Sequence, residues 1–199
     1  MAKNIDDDIN ALFKLPLAEF IGARKTLAAR LKQEGRADDA NRVQALAKPP
    51  ASVWAVNQLY WHHRAEFERL IAAGQRFRRA HTSRSAKPAE LNEALEARRA
   101  SLNQLSDLAS DLLRKAGHNP AVETMRRIST TLEAMSAYSA LPDGQAFGRL
   151  TKDLDPPGFE SLAPFIRAVP TIRRPDEIVR VTPASKSPGA ATKRRPDSA

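Results

Sequence analysis

The 199-residue chain contains no cysteine. A disulfide-stapled scaffold, a thiolate zinc site and a cysteine nucleophile are therefore excluded. Long apolar runs are missing as well. The most apolar stretch, around residues 51–61, is interrupted by Asn57 and Gln58 and is about half the ~20 residues a bilayer span requires. The opening MAKNIDDDIN carries three consecutive acids where a secretory leader needs a basic start and an apolar run. A cytoplasmic protein with no membrane partner is expected. No strand-like alternation occurs in the first 140 residues, no glycine loop is built to cradle phosphate, and no nucleophile stands in a recognisable setting. No motif of known chemistry stands out, and the expectation is a binding protein, more than an enzyme, without cofactor or metal.

What the chain has is helix-forming sequence and positive charge. Lys and Arg number 32 against 23 Asp and Glu, a formal charge of +9. Five prolines precede Leu141 and the other nine follow it. The early intervals are long and rich in Ala, Leu, Glu, Arg and Gln, the best helix formers, and a proline suits the first turn of a helix. Helices are expected over about residues 16–34, 37–47, 51–81 and 88–116, with a fifth beginning near Ala121. The fourth repeats in heptads through Leu91, Leu95, Arg98, Leu102, Leu105, Ala109, Leu112 and Ala116. It is expected to pair with the third as a long antiparallel hairpin of coiled-coil type. The expected fold is an all-α bundle of about five helices. Residues 1–14 form an acidic lead, 15–141 the bundle, 142–169 a turn-rich segment packing on it, and 170–199 a disordered basic tail.

The run LPLAEFIGARKTLAARLKQEGRADDANRVQALAKPPASVWAVNQLYW (Leu15 to Trp61), together with RLTKDLDPPGF (Arg149 to Phe159), resembles an uncharacterised family of bacterial helical proteins. The resemblance covers about residues 15–160. It implies the domain limits and, because no activity is assigned to that family, no catalytic residue.

Three clusters are candidates for function. Trp54, Asn57 and Trp61 place an amide between two indoles on an apolar helix, which suits either a ligand pocket or a buried amide bridging backbone groups. Asp153 and Asp155 can form an acid/base pair or hold a divalent cation. Alternatively, Asp155 bonds its own turn and Asp153 pairs with Arg149 or Lys152. Adjacent His62 and His63 point about 100° apart on a helix and cannot share a metal unaided, while His62 and Glu66 supply only two ligands. His118 is read as a loop residue.

The third cluster is basic: Arg76, Arg78, Arg79, Arg84 and Lys87, at the end of one helix and in the loop after it. Such a group can track phosphates with little sequence preference. It can equally pair with Glu90, Glu93 and Glu96 on the facing helix. The tail adds seven basic residues against three acids, so nearly half the net charge lies there. The expected partner is DNA or RNA, bound nonspecifically through the hairpin and tail. The alternative is an acidic protein or a second copy of the chain engaging the heptad seam, and an enzyme or metal site at Asp153/Asp155 is the third possibility.

Overall fold

In the computed structural model, which describes residues 4–83, 87–138 and 140–158, the expected all-α architecture is present. Seven α-helices occur among these residues: α1 (Ile5–Lys14), α2 (Phe20–Gln33), α3 (Ala37–Gln44), α4 (Ala51–His62), α5 (Arg64–Thr82), α6 (Pro88–Lys115) and α7 (Val122–Ala137). A single 3₁₀ turn follows at Pro142–Gly144. The expectations for residues 159–199, including the basic tail, lie outside the described residues.

Two helices were not foreseen. The acidic opening folds as α1, because its acids occupy the first turn, where the helix dipole favours them, and Asn4 caps the Asp6 amide with its side chain. Ile5, Ile9, Leu12 and Phe13 then share one face, the last three buried. The second difference is a break. One helix over 51–81 is replaced by α4 and α5, which meet at His63 with φ −126° and ψ 48°. Single backbone bonds continue across the joint, from His63 N–H to Leu59 and from Phe67 N–H to His63. The break changes the buried surface: every residue from Ser52 to Leu59 is buried, whereas α5 buries only one stripe through Phe67, Leu70, Ala73 and Gly74.

The helices enclose two apolar clusters. Helices α1, α2 and α3 surround Phe13, Phe20, Leu31, Ala40 and Val43, with the Phe13 and Phe20 rings edge to face at 5.3 Å. Gly35, at φ +74°, ends α2 by the paired bonds of a left-handed cap, Gly35 N–H to Lys32 and Arg36 N–H to Leu31. The larger cluster is built by α4, α5, α6 and α7. The antiparallel pairing of α5 with α6 is the most extensive helix contact. The α6 seam is engaged inside this bundle: Leu105, Ala109 and Leu113 are buried, Leu102 and Leu112 pack beside them, and Ala116 is exposed. Full burial passes from Leu112 of the heptad to Leu113, the direction in which a 3.6-residue period drifts against a strict heptad.

Gly74 sets the spacing of α5 and α7. A Cβ there would strike the carbonyl of Ser136, so only glycine lets the end of α7 approach. One turn further along α5, the Arg78 guanidinium donates to that same Ser136 carbonyl. Arg98 of α6 donates to Ser136 Oγ at 2.8 Å and to the Glu133 carbonyl at 3.2 Å. Two cations from neighbouring helices thus meet the carbonyl end of α7, where its dipole is negative and its last carbonyls lack helical donors.

Candidate functional site

Helix α4 was the first candidate, and its polar atoms are consumed by the fold. Asn57, 1% exposed, donates to the Leu150 carbonyl at 2.9 Å and accepts from the Leu150 amide at 3.0 Å. One side chain thereby imitates a strand neighbour for a segment that has none. Trp61 Nε1 donates to the Gly148 carbonyl at 3.0 Å, and Ser52 Oγ to Asp153 at 2.8 Å. Thr131 of α7 accepts the Leu154 amide at 3.2 Å. Residues 148–154 therefore form a strap fastened by helical side chains, with Leu150 and Leu154 as its buried anchors. Each of those leucines contributes about 1.5–3 kcal/mol on burial. On its other side α4 holds the end of α1: Gln58 donates to the Phe13 carbonyl at 2.9 Å and Trp54 to the Leu15 carbonyl at 3.0 Å. His62 bonds Gln58 Oε1 at 3.1 Å.

The basic cluster divides. Arg78 is turned inward onto α7 as described, and Arg84 lies outside the described residues. Arg76, Arg79 and Lys87 are exposed. Arg76 and Arg79, one turn apart on α5, line a shallow cavity of about 260 Å³ with Glu90 and Glu93 of α6. The expected pairing across that cavity does not form: neither guanidinium has a hydrogen-bond or ion-pair partner among the described residues. Every other arginine among the described residues has one. Glu96 pairs instead with Arg99 on its own helix, at 2.9 Å.

At the acidic turn, Asp153 accepts from Ser52 and faces Arg127 at 3.6 Å, in place of the expected Arg149 or Lys152. Arg149 goes to α1 and Lys152 to Asp143. The Asp155 carbonyl accepts from the Tyr138 hydroxyl at 3.0 Å. Asp153 and Asp155 line a cavity of about 180 Å³ with Arg126 and Arg127, so both carboxylates look toward cations. Nearby, hydrogen bonds from Arg126 and then Arg127 lower the Glu123 carboxyl from its ordinary 4.5 to about 2. His118 packs its ring edge to face on Trp54, centroids 5.9 Å apart. Among the described residues no three His, Asp or Glu side chains gather in a way that could hold a metal.

A larger cleft, of about 590 Å³, lies between α1, the end of α4 and residues 138 and 140–149. Trp61 lines it, but Trp54 and Asn57 do not. Tyr60, Trp61 and Phe147 form its aromatic wall, with Tyr60 and Phe147 nearly parallel at 29° and 6.2 Å. Arg149 closes one side, donating to Asn10 at 2.7 Å, to the Asp6 carboxylate at 2.8 Å and to the Asp6 carbonyl at 3.1 Å. That contact holds the Asp6 carboxyl below its usual range, the Arg149 hydrogen bond being the largest cause. Gly148 turns the chain at φ +78°, where a Cβ would lie 2.9 Å from Trp61 Cε2 and closer still to the Tyr60 ring. Gln145 completes the lining, and both atoms of its amide are buried without a hydrogen-bond partner. Tyr60, Phe147 and Arg149 carried visible sequence signals only as apolar or pairing residues. Gln145 carried none.

No helix of the described residues is long and apolar enough to cross a membrane. Set against protein-family models, curated proteins and solved structures, the chain matches none of them.

Proposed function

We propose that the protein is a cytoplasmic, non-enzymatic binding protein that associates with the phosphate backbone of DNA or RNA through the tip of the α5–α6 hairpin. The observation that carries this reading is the pair Arg76 and Arg79, exposed one turn apart and without a partner, while the remaining described arginines are engaged. An unpaired guanidinium on a surface keeps all five donors for an incoming phosphate and gives up no ion pair on binding. Lys87, exposed at the start of α6, extends the same end of the hairpin. Arg78 is not part of the contact surface, because its guanidinium is bonded to Ser136. The basic residues of 170–199 add a sequence-independent attraction.

Binding of this kind releases counterions and weakens as salt rises. Electrophoretic mobility of short DNA and RNA duplexes and single strands across a salt series tests it. A shift is expected at low salt, receding as salt increases. With duplex DNA, the double variant Arg76→Ala/Arg79→Ala is expected to reduce the log–log salt slope by about 2, near 0.9 for each lost phosphate contact. No shift at low salt, or a shift indifferent to salt, overturns the reading.

A further inference from the structure

We propose that the cavity between α2 and α3 binds a phosphate-type oxyanion. Lys25, Ala29 and Lys32 follow one another at steps of four and three residues along α2 and so share one face. With Arg24 of the same helix and Gln44, the last residue of α3, they line a cavity of about 330 Å³. That lining holds three cations and an amide, and no carboxylate. Each of the three cavities described above has at least one carboxylate: Asp6 in the first, Glu90 with Glu93 in the second, Asp153 with Asp155 in the third. Both lysines are exposed, and neither has a hydrogen-bond or ion-pair partner among the described residues. The Arg24 guanidinium donates to the Leu46 carbonyl, just beyond α3, which ties this cation to both helices.

The ligand class follows from charge and shape. A phosphate or diphosphate presents oxygens in several directions and can meet cations on different sides of a cavity, whereas a carboxylate offers two oxygens in one plane. Lysine binds phosphate as a point charge with three rotatable donors. Because both ammonium groups stand in water, an incoming oxyanion displaces solvent only and competes with no carboxylate for them. Ala29, between the two lysines, leaves the middle of the stripe open, and the lysine stems supply apolar cover around it. None of these residues belongs to the α5–α6 hairpin tip, so failure of either proposal leaves the other standing.

The test is an NMR titration of the full chain with inorganic pyrophosphate, following the backbone amides. Saturable shifts at millimolar concentration are expected at residues 24–32 and at Gln44. The double variant Lys25→Ala/Lys32→Ala places the best helix former at two exposed positions and is expected to weaken pyrophosphate by about tenfold at this site. Arg99→Ala/Arg114→Ala removes the same formal charge from α6 and is expected to leave that affinity unchanged. Absence of saturable shifts at α2 and α3 overturns the proposal, a result that needs no variant to fold. Unchanged affinity in the lysine variant overturns it as well, and so does equal weakening in the two double variants, which would make net charge the cause. A parallel titration with a short oligothymidylate lacking a terminal phosphate separates the two sources of such an oxyanion. Shifts at the same residues assign it to a nucleic-acid backbone, and shifts with pyrophosphate alone assign it to a free phosphate compound; either result upholds the site.

Discussion

Helix α4 and the end of α5 are both rich in hydrogen-bonding side chains, yet they use them in opposite ways. On α4, Ser52, Trp54, Asn57, Gln58 and Trp61 each bond a group in the chain before or after the helix. On α5, the guanidinium groups of Arg76 and Arg79 bond nothing among the described residues, although Glu90 and Glu93 line the same shallow cavity. The difference follows burial. A polar atom inside a helix bundle loses water and must find a protein partner, whereas an exposed guanidinium remains solvated and gains little from a surface ion pair. An unpaired arginine is thus affordable only at the surface, and the polar cluster on α4 is the assembly joint of the fold.

That contrast can be broken most directly at Asn57. Asn57→Leu leaves the Leu150 amide and carbonyl buried without partners. At about 1–3 kcal/mol for each group, urea unfolding is expected to show a loss near 4 kcal/mol. A loss below about 1 kcal/mol would mean that the strap is not held by this residue.

Gly148→Ala should come next, at about 3 kcal/mol. A side chain at φ +78° costs about 1 kcal/mol, and the overlap with Tyr60 and Trp61 adds roughly 1–3 kcal/mol. Gly22→Ala, at an exposed position of α2 with nothing within 4 Å of the new Cβ, should instead stabilise the protein by up to about 1 kcal/mol. Thermal melts of the two variants should move in opposite directions.

The adjacent pair Arg78 and Arg79 gives a sharper and smaller test. Arg78→Ala removes a donor from the end of α7 and should cost about 1–2 kcal/mol. Arg79→Ala should change stability by no more than about 0.5 kcal/mol while weakening nucleic-acid binding. Equal stability losses at the two positions would erase the distinction between inward and outward arginines.

The smallest effect concerns pH. Glu123 is lowered to about 2 in the folded protein, below its ordinary 4.5, so its stabilising contribution is present above about pH 4.5 and is lost as the pH falls toward 2. Replacing both Arg126 and Arg127 with alanine should return the Glu123 carboxyl titration, followed by NMR, to about 4.5. An unchanged midpoint would show that the arginines are not its cause.

Much of this molecule was legible in the sequence because much of it is periodic. The α5–α6 hairpin follows from apolar spacing and from Pro88, which opens α6, and the α7 stripe through Met125, Ile128, Leu132 and Met135 is seen in the structure. The start of α1 was also readable. Ile5, Ile9, Leu12 and Phe13 have helical spacing, but three successive acids masked it, though such residues suit a first turn. The joint at His63 left no mark, since neither proline nor glycine stands there. The strap was invisible for another reason. Asn57 and Leu150 are 93 residues apart, and a side chain that bonds a distant backbone leaves no local pattern. For the same reason Arg149 was paired by proximity with Asp153, when its partners stand at the beginning of the chain.

The Arg149 contacts also bear on the order of assembly. The guanidinium reaches Asn10 and Asp6 across 139 and 143 residues, nearly the whole described length. Helix α1 can meet its neighbours at once, through Arg30 of α2 to Asp8 at 2.8 Å and Arg42 of α3 to Asp6 at 3.3 Å, whereas its Arg149 contacts wait for a residue that follows α7 in the chain. The entropy of closing so long a loop grows only slowly with length, by about 0.6 kcal/mol for each doubling, so delay rather than thermodynamic cost is the penalty. Arg149 is thus the third guanidinium on this helix and completes an acidic face that α2 and α3 have already partly neutralised.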